Sequence, residues 1–435
     1  MPTFGFVADD LTGASDVLAQ AHRHGLEAAL VLGDAPLPED TDVVGIAGPA
    51  RSLGGDAFDR LVRRDLHRLA GLDLEVLLYK VCSTFDSSPT TGSIGRGIEL
   101  MHERFPAHGP IAVAPAQPEF GRFTAFTTHY AAYAGEVHRL DRHPVMSRHP
   151  STPMREADLR RVLAEQLAPG SVVGAIHLPV HAAGALEDAW TERRGERGCS
   201  AFVVDAVDEH HMDAVARALT GERSRTGPAL VVGSGGIMAA LARTTNGAPA
   251  STGPPGAQAP GGPVLAVSAS ASSVTSEQIG DALEHGWVDV PVPADLLTPA
   301  GAGLVAALDT QVASALSAGR DVVVHTTRGV DDPRYAHSGP VGAEHVGSLI
   351  GGLAARMAAG GLTRDIAICG GDTSSHALIA MGVREVRVSA QFVVAGPVCR
   401  TDDGAAVAGC RLLLKGGQVG PPDVLRRFAG RVPHA

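Results

Sequence analysis

Lysine is nearly missing from this 435-residue chain: of 36 basic residues only two, Lys80 and Lys415, are lysines. Arginine can replace most surface lysines but not a compact ammonium in a tight anion site. The two survivors are therefore candidates for function. Cysteine is scarce and odd in number. Cys82, Cys199, Cys369, Cys399 and Cys410 are scattered and form no C-x-x-C pair. That excludes a disulfide framework and a structural zinc site and fits a reduced, cytoplasmic chain. No apolar run reaches the length of a membrane span. A strand begins within three residues of the N-terminus, so no signal peptide is expected. Net positive charge is missing too: the formal balance of -11 argues against nucleic acid or an anionic membrane as partner, but not against a small anion in a local basic pocket. No G-x-x-x-x-G-K-[ST] string occurs, which excludes a P-loop nucleotidase. Gly233-Ser-Gly235-Gly236 misses the G-x-G-x-x-G spacing, which counts against a nicotinamide oxidoreductase.

What is present is a long alternation of apolar runs and helical patterns. Residues 4–8, 28–32, 43–47, 76–79 and 111–114 read as strands, with helices over 12–24, 56–70 and 93–104; strands at 172–176, 201–204 and 229–232 continue the series. Residues 244–263 are Pro, Gly, Ala and Thr without periodicity. The alternation then restarts with a strand at 264–268 and helices over 275–285, 301–318 and 343–359. The chain is too long for one ordinary core. This pattern predicts an α/β protein of two doubly wound, mostly parallel-sheet domains, residues 1–243 and 264–435, joined by a linker over 244–263. Ligands of such sheets lie at the carboxyl ends of strands.

Several strand exits carry chemistry. Asp9-Asp10-Leu-Thr12-Gly13 follows the first strand. A carboxylate there can serve as general base toward a hydroxyl, and Asp10 or Thr12 can equally be a helix cap. Arg51, after the third strand, offers a fork for a carboxylate. Lys80 is followed by Cys82-Ser83-Thr84-Phe-Asp86-Ser87-Ser88, a cation, hydroxyls and a carboxylate suited to a polyhydroxylated anion. Gln117 to Arg122 and Met146 to Met154, including His149, are further polar segments. In the second half, Ser268-Ala-Ser270, Gly370-Gly371-Asp372-Thr373 and Lys415-Gly416-Gly417 each follow a strand. Small residues at such exits expose backbone N–H groups to phosphates.

Together these strings resemble the four-carbon acid sugar kinase family, over nearly the whole chain. The resemblance rests on Ala8-Asp-Asp-Leu-Thr-Gly-Ala14, Lys80-Val-Cys-Ser-Thr-Phe-Asp-Ser-Ser-Pro89 and His149-Pro-Ser-Thr-Pro-Met154. It implies a substrate domain, then an ATP domain, with the active site in the cleft between them. It also implies phosphorylation of a hydroxyl of a sugar acid such as threonate, erythronate or 3-oxo-tetronate. On this reading Asp10, or failing that Asp9 or Asp86, is the base, and Lys80 and Arg51 meet substrate carboxylate and developing phosphate charge. Ser83, Thr84 and His149 bind substrate. Ser268, Ser270, Gly370, Gly371, Asp372, Thr373, Lys415, Gly416 and Gly417 meet the nucleotide. ATP and Mg²⁺ are the cofactors, a small hydroxy acid the partner, and a homodimer the one assembly left open. The residues of a metal site are not assigned. Relatives have an aromatic where Gln117 stands and Glu where Asp372 stands. The departures on the nucleotide side, Asp372 among them, motivate an alternative, a repurposed or non-catalytic member acting on or sensing a different hydroxy acid.

Overall fold

The structure is a computed structural model that describes residues 1–148, 152–221, 227–247, 261–297, 304–329, 331–334, 342–370, 372–393, 396–402 and 407–432; the side chains of Ala343, Asp372 and Thr373 are outside that description. His149 and Gly371 lie outside the described residues, as does 248–260, most of the expected linker.

The strands are β1 Phe4–Ala8, β2 Ala28–Leu32, β3 Val43–Ala47, β4 Val76–Lys80, β5 Ile111–Ala114, β6 Arg122–Ala125, β7 Thr128–Tyr133, β8 Glu136–Arg139, β9 Val172–Ile176, β10 Cys199–Val204, β11 Ala229–Gly233, β12 Val264–Ser268, β13 Val288–Pro291, β14 Val322–His325, β15 Asp365–Cys369, β16 Glu385–Val393, β17 Gly396–Thr401 and β18 Arg411–Lys415. The chain clusters into two compact units. One holds Met1–Ala28 with Leu37–Ala250, the other Ala29–Pro36 with Ser251–Ala435.

The first unit carries seven parallel strands in the order β3-β1-β4-β11-β5-β10-β9. Runs such as Phe4–Ala8 and Val76–Lys80 are buried along their whole length. Helices cover both faces of such a sheet, which is why these strands read as unbroken apolar runs rather than alternating ones. Burial of each Leu, Val or Phe stabilises by about 1.5–3 kcal/mol.

A second sheet, β6-β7-β8, is antiparallel. The sequence reading did not foresee it, because its turn at Phe126–Thr127 lacks the usual Asn-Gly signal. Both turn residues are left-handed, at φ 51° and 62°, the geometry that two-residue hairpins require. The buried Asp205 carboxylate compensates by accepting the N–H of Phe126 (2.7 Å) and of Thr127 (2.8 Å).

In the second unit five parallel strands, β13-β14-β12-β15-β18, continue into an antiparallel edge, β17-β16-β2. Strand β2, read from sequence as part of the first domain, pairs with β16 through Glu385↔Val31 and Arg387↔Ala29. The helix Gly235–Asn246 runs through residues 244–246, which the sequence pattern assigned to the linker.

Candidate active site

Strands β3, β1 and β4 lie side by side, with Ala8 in register with both Ala47 and Lys80. Their carboxyl ends are therefore flush, and the residues leaving them converge. Asp9 and Asp10 leave β1. Asp10 is the N-cap of the helix Leu11–Arg23, its Oδ1 accepting the Gly13 N–H at 2.7 Å. Arg51, in the short helical turn after β3, spans both carboxylates. Its Nε and Nη2 donate to Asp9 (3.1 and 2.8 Å), and its Nη1 and Nη2 donate to Asp10 (2.8 and 2.9 Å). The adjacent like charges in the sequence are thus held by one guanidinium fork. Asp9 and Asp10 are almost fully buried. Burial pushes the Asp9 carboxyl up to about 6, with Arg51 pulling it down and Asp10 pushing it further up.

Arg51, expected to meet substrate, gives four hydrogen bonds to Asp9 and Asp10. Breaking a buried pair leaves uncompensated charge, at about 3–5 kcal/mol. Arg51→Met should therefore lower the unfolding free energy by about that amount above pH 7, measured by urea titration. The loss should shrink below about pH 6, where Asp9 takes up a proton.

Lys80 ends β4 with its side chain 2% exposed and its Nζ donating to the Val81 carbonyl at 2.7 Å. A Cβ on Gly13 would lie 2.6 Å from Asp10 Oδ1 and 2.9 Å from Lys80 Nζ. Glycine in the Thr-Gly pair is thus what admits the ammonium beside the helix start. The following loop turns at Phe85, left-handed at φ 58°. Cys82 Sγ and Thr84 Oγ1 are 2.9 Å apart, and burial pushes the Cys82 thiol up to about 12. Asp86 is buried, and its Oδ1 has no hydrogen-bond partner among the described residues.

Asp16, Gln20 and His129, not singled out from sequence, lie here with Gln117 and Arg122 of the polar segment after β5. Asp16 is buried on the same helix and accepts from Gln117 Nε2 (3.1 and 3.2 Å) and Gln20 Nε2 (3.3 Å). Burial raises its pKa, and the Lys80 charge lowers it. Its signal was available: Gly13, Asp16, Val17 and Gln20 follow the buried face of the helix, where a carboxylate needs a reason. Arg122 starts β6. His129, on β7, bridges Thr124 Oγ1 (2.9 Å) and the Ser83 carbonyl (2.8 Å), tying the small sheet to the Lys80 loop.

Burial pushes the His129 imidazole down to about 4. The unfolded chain takes up this proton first, so His129 contributes stability above about pH 6.5 that is lost as pH falls toward 4. Asp9 acts oppositely, holding a proton below about 6 that the unfolded chain releases. Between pH 7.5 and 4.5 His129→Gln should reduce the acid loss of unfolding free energy by about 2–3 kcal/mol relative to wild type, read by urea titration at both pH values.

In the second unit, Ser268, Cys369 and Lys415 are in register on β12, β15 and β18, so the three expected strand exits meet at one edge. Ser268 Oγ accepts from the Ser270 N–H (3.3 Å), and Ser270 Oγ from the Ser272 N–H (3.2 Å). The buried Lys415 Nζ donates to Thr275 Oγ1 (3.3 Å), which donates to the Gly417 carbonyl (2.7 Å). Burial lowers the Lys415 pKa. A Cβ on Gly417 would lie 2.5 Å from Ser270 Oγ, so the Lys-Gly-Gly turn and the serine loop touch only because the residue is glycine. The Gly370 N–H donates to the Lys415 carbonyl at 3.1 Å, and the helix Asp372–Ala380 starts just beyond. A helix start beside a buried ammonium is a setting for phosphate.

Residues 4–241 match the family model of a sugar-binding N-terminal domain, and residues 265–425 that of a nucleotide-binding C-terminal domain. The chain is 32% identical to a 3-oxo-isoapionate kinase of Paraburkholderia graminis, over 95% of this chain and 91% of that one. It is also 32% identical to a 3-oxo-tetronate kinase of Cupriavidus necator, over 99% and 98%. In fold it is similar to solved proteins of Salmonella typhimurium (TM-score 0.78, 22% identity, 98% of each chain) and Haemophilus influenzae (TM-score 0.72, 23% identity, 98% and 99%). These matches run the length of both units, and the chain belongs to the four-carbon acid sugar kinase family.

Proposed function

We propose that this chain is an ATP-dependent kinase that phosphorylates a hydroxyl of a small sugar acid such as threonate, erythronate or 3-oxo-tetronate. The observation that carries the reading is the buried Lys80 ammonium set flush with the Asp9–Asp10–Arg51 cluster on adjacent strand ends. It occurs in a chain whose relatives, matched over 95% and 99% of its length, are kinases of 3-oxo sugar acids.

In phosphoryl transfer the protein positions the reactants and neutralises charge. The hydroxyl oxygen attacks the γ-phosphorus as the bond to ADP breaks. Asp9, whose carboxyl sits at about 6, takes the proton: that value suits a base working near neutrality. Asp10, with its cap to Gly13 and its bonds to Arg51, holds the constellation in place. Lys80 meets charge on the transferred phosphoryl group. Lys415 and the N–H groups near Ser268, Ser270, Gly370, Gly416 and Gly417 hold nucleotide phosphates. Among the described residues no group of three His, Cys, Asp or Glu side chains could hold a metal. Mg²⁺ bound with ATP would neutralise phosphate charge. The five cysteines are free, which fits a reducing compartment.

The test is ADP release in the presence of ATP, Mg²⁺ and a panel of hydroxy acids of three to six carbons. Turnover of at least one acid well above the blank is expected. Tight binding of an acid with no ADP release would overturn the kinase reading and favour a sensor.

A further inference from the structure

A sugar acid brings a carboxylate that needs a planar cationic fork. Arg51, the residue expected to supply it, already gives four hydrogen bonds to Asp9 and Asp10. Lys80 is a point charge assigned to the phosphoryl group. A third cation stands in the same neighbourhood. Arg122 is positioned by a tight loop in which Gln117 and Arg122 exchange backbone hydrogen bonds (3.0 and 3.1 Å). Its Nη1 donates to the Phe120 carbonyl at 2.6 Å, and its Nε is buried without a partner among the described residues. Burial pushes its pKa down, opposed by Cys82 and Asp86. Arg122 of β6 pairs in register with Ala131 of β7, and His129 of β7 meets the carbonyl of Ser83, three residues before Asp86, so the small sheet carries Arg122 alongside the loop that holds Asp86.

A buried donor and a buried acceptor, each left open, are costly. Here they are the guanidinium edge of Arg122 and Oδ1 of Asp86, the latter on a residue only 6% exposed. One group suits a carboxylate and the other a hydroxyl, the two functions of a hydroxy acid. We propose that Arg122 is the receptor of the substrate carboxylate and that Asp86 accepts a hydroxyl of the same molecule, making the wall of β6 and β7 the acid-selecting side of the site. This rests on the sugar-acid kinase reading, and it adds a residue that decides acid against neutral sugar.

The test is calorimetric binding to the full chain of D-threonate and of its uncharged counterpart D-threonamide, with ADP release followed separately. Wild type should bind the acid at least about 100-fold more tightly than the amide, as befits a charge-assisted pair. Arg122→Gln should bind the two alike. Arg122→Lys, which keeps the charge and loses the fork, should retain a preference about tenfold smaller than wild type. Arg122→Ala should regain acid binding, but not amide binding, on addition of guanidinium, which a merely structural role would not produce. Asp86→Asn should weaken acid and amide together and leave their ratio unchanged. An undiminished preference in Arg122→Gln, or in Arg122→Lys should the glutamine variant not fold, overturns the proposal. So does a wild type that does not distinguish acid from amide. If the preference depends on Arg122 but no ADP is released, the kinase reading fails and this assignment stands.

Discussion

Lys80→Arg is expected to lower kcat by about 10³-fold although the positive charge is kept, a loss in the range seen when a preorganised charge-stabilising donor is removed. The ammonium is buried, and the space beside it is so tight that one methyl on Gly13 would come within 2.9 Å of Nζ. A guanidinium is larger and flat and cannot stand at that point. Lys80→Met should lose as much. ATP affinity should stay near wild type in both variants, because the nucleotide is assigned to the residues around Lys415. Steady-state ADP release together with calorimetric ATP titration checks this. Near-normal kcat in Lys80→Arg would remove Lys80 from the chemistry. The near absence of lysine elsewhere gains its meaning from this result. In a chain that uses arginine for almost every cation, both lysines are buried at the ends of strands.

Asp9→Asn should cost about 10³-fold in kcat, within the usual range for a general base, and should leave ATP binding intact. Asp10→Asn should behave differently. Asparagine still caps the helix, and it removes a neighbouring negative charge that pushes the Asp9 carboxyl up. Turnover should persist, with the acid limb of the kcat/KM profile moved from about 6 to lower pH. The sign follows from the charge: with one carboxylate gone, Asp9 loses its proton more readily. The pH profiles of the two variants decide between the carboxylates. An inactive Asp10→Asn beside an active Asp9→Asn would reverse the assignment.

Much of this was legible in the sequence, for physical reasons. Strands such as Val43–Ala47 are buried on both faces, so each leaves an apolar run between polar exits, and the parallel architecture follows. The candidate site residues at those exits could be named because like charges, a rare lysine and hydroxyl-rich loops stand out against them. Their partnerships could not be named. Nothing in the spacing of residues 9, 10 and 51 says that one arginine serves both carboxylates. That depends on the register of β1 with β3. The Phe126–Thr127 hairpin was hidden because its strained turn is supported by Asp205, 78 residues from Thr127. Strand β2 was assigned by its place in the chain, whereas β16 pairs with it from more than 350 residues away. Asp16 could have been found by asking which polar residues fall on the buried stripe of the first helix.

The most direct measurement is a ³¹P spectrum of the full chain incubated with ATP, Mg²⁺ and 3-oxo-tetronate or D-threonate. The account predicts a new phosphomonoester resonance growing in step with ADP, present with wild type and absent with Asp9→Asn and Lys80→Met. ATP left unchanged by wild type across the acid panel, or ADP accompanied only by inorganic phosphate, would contradict it.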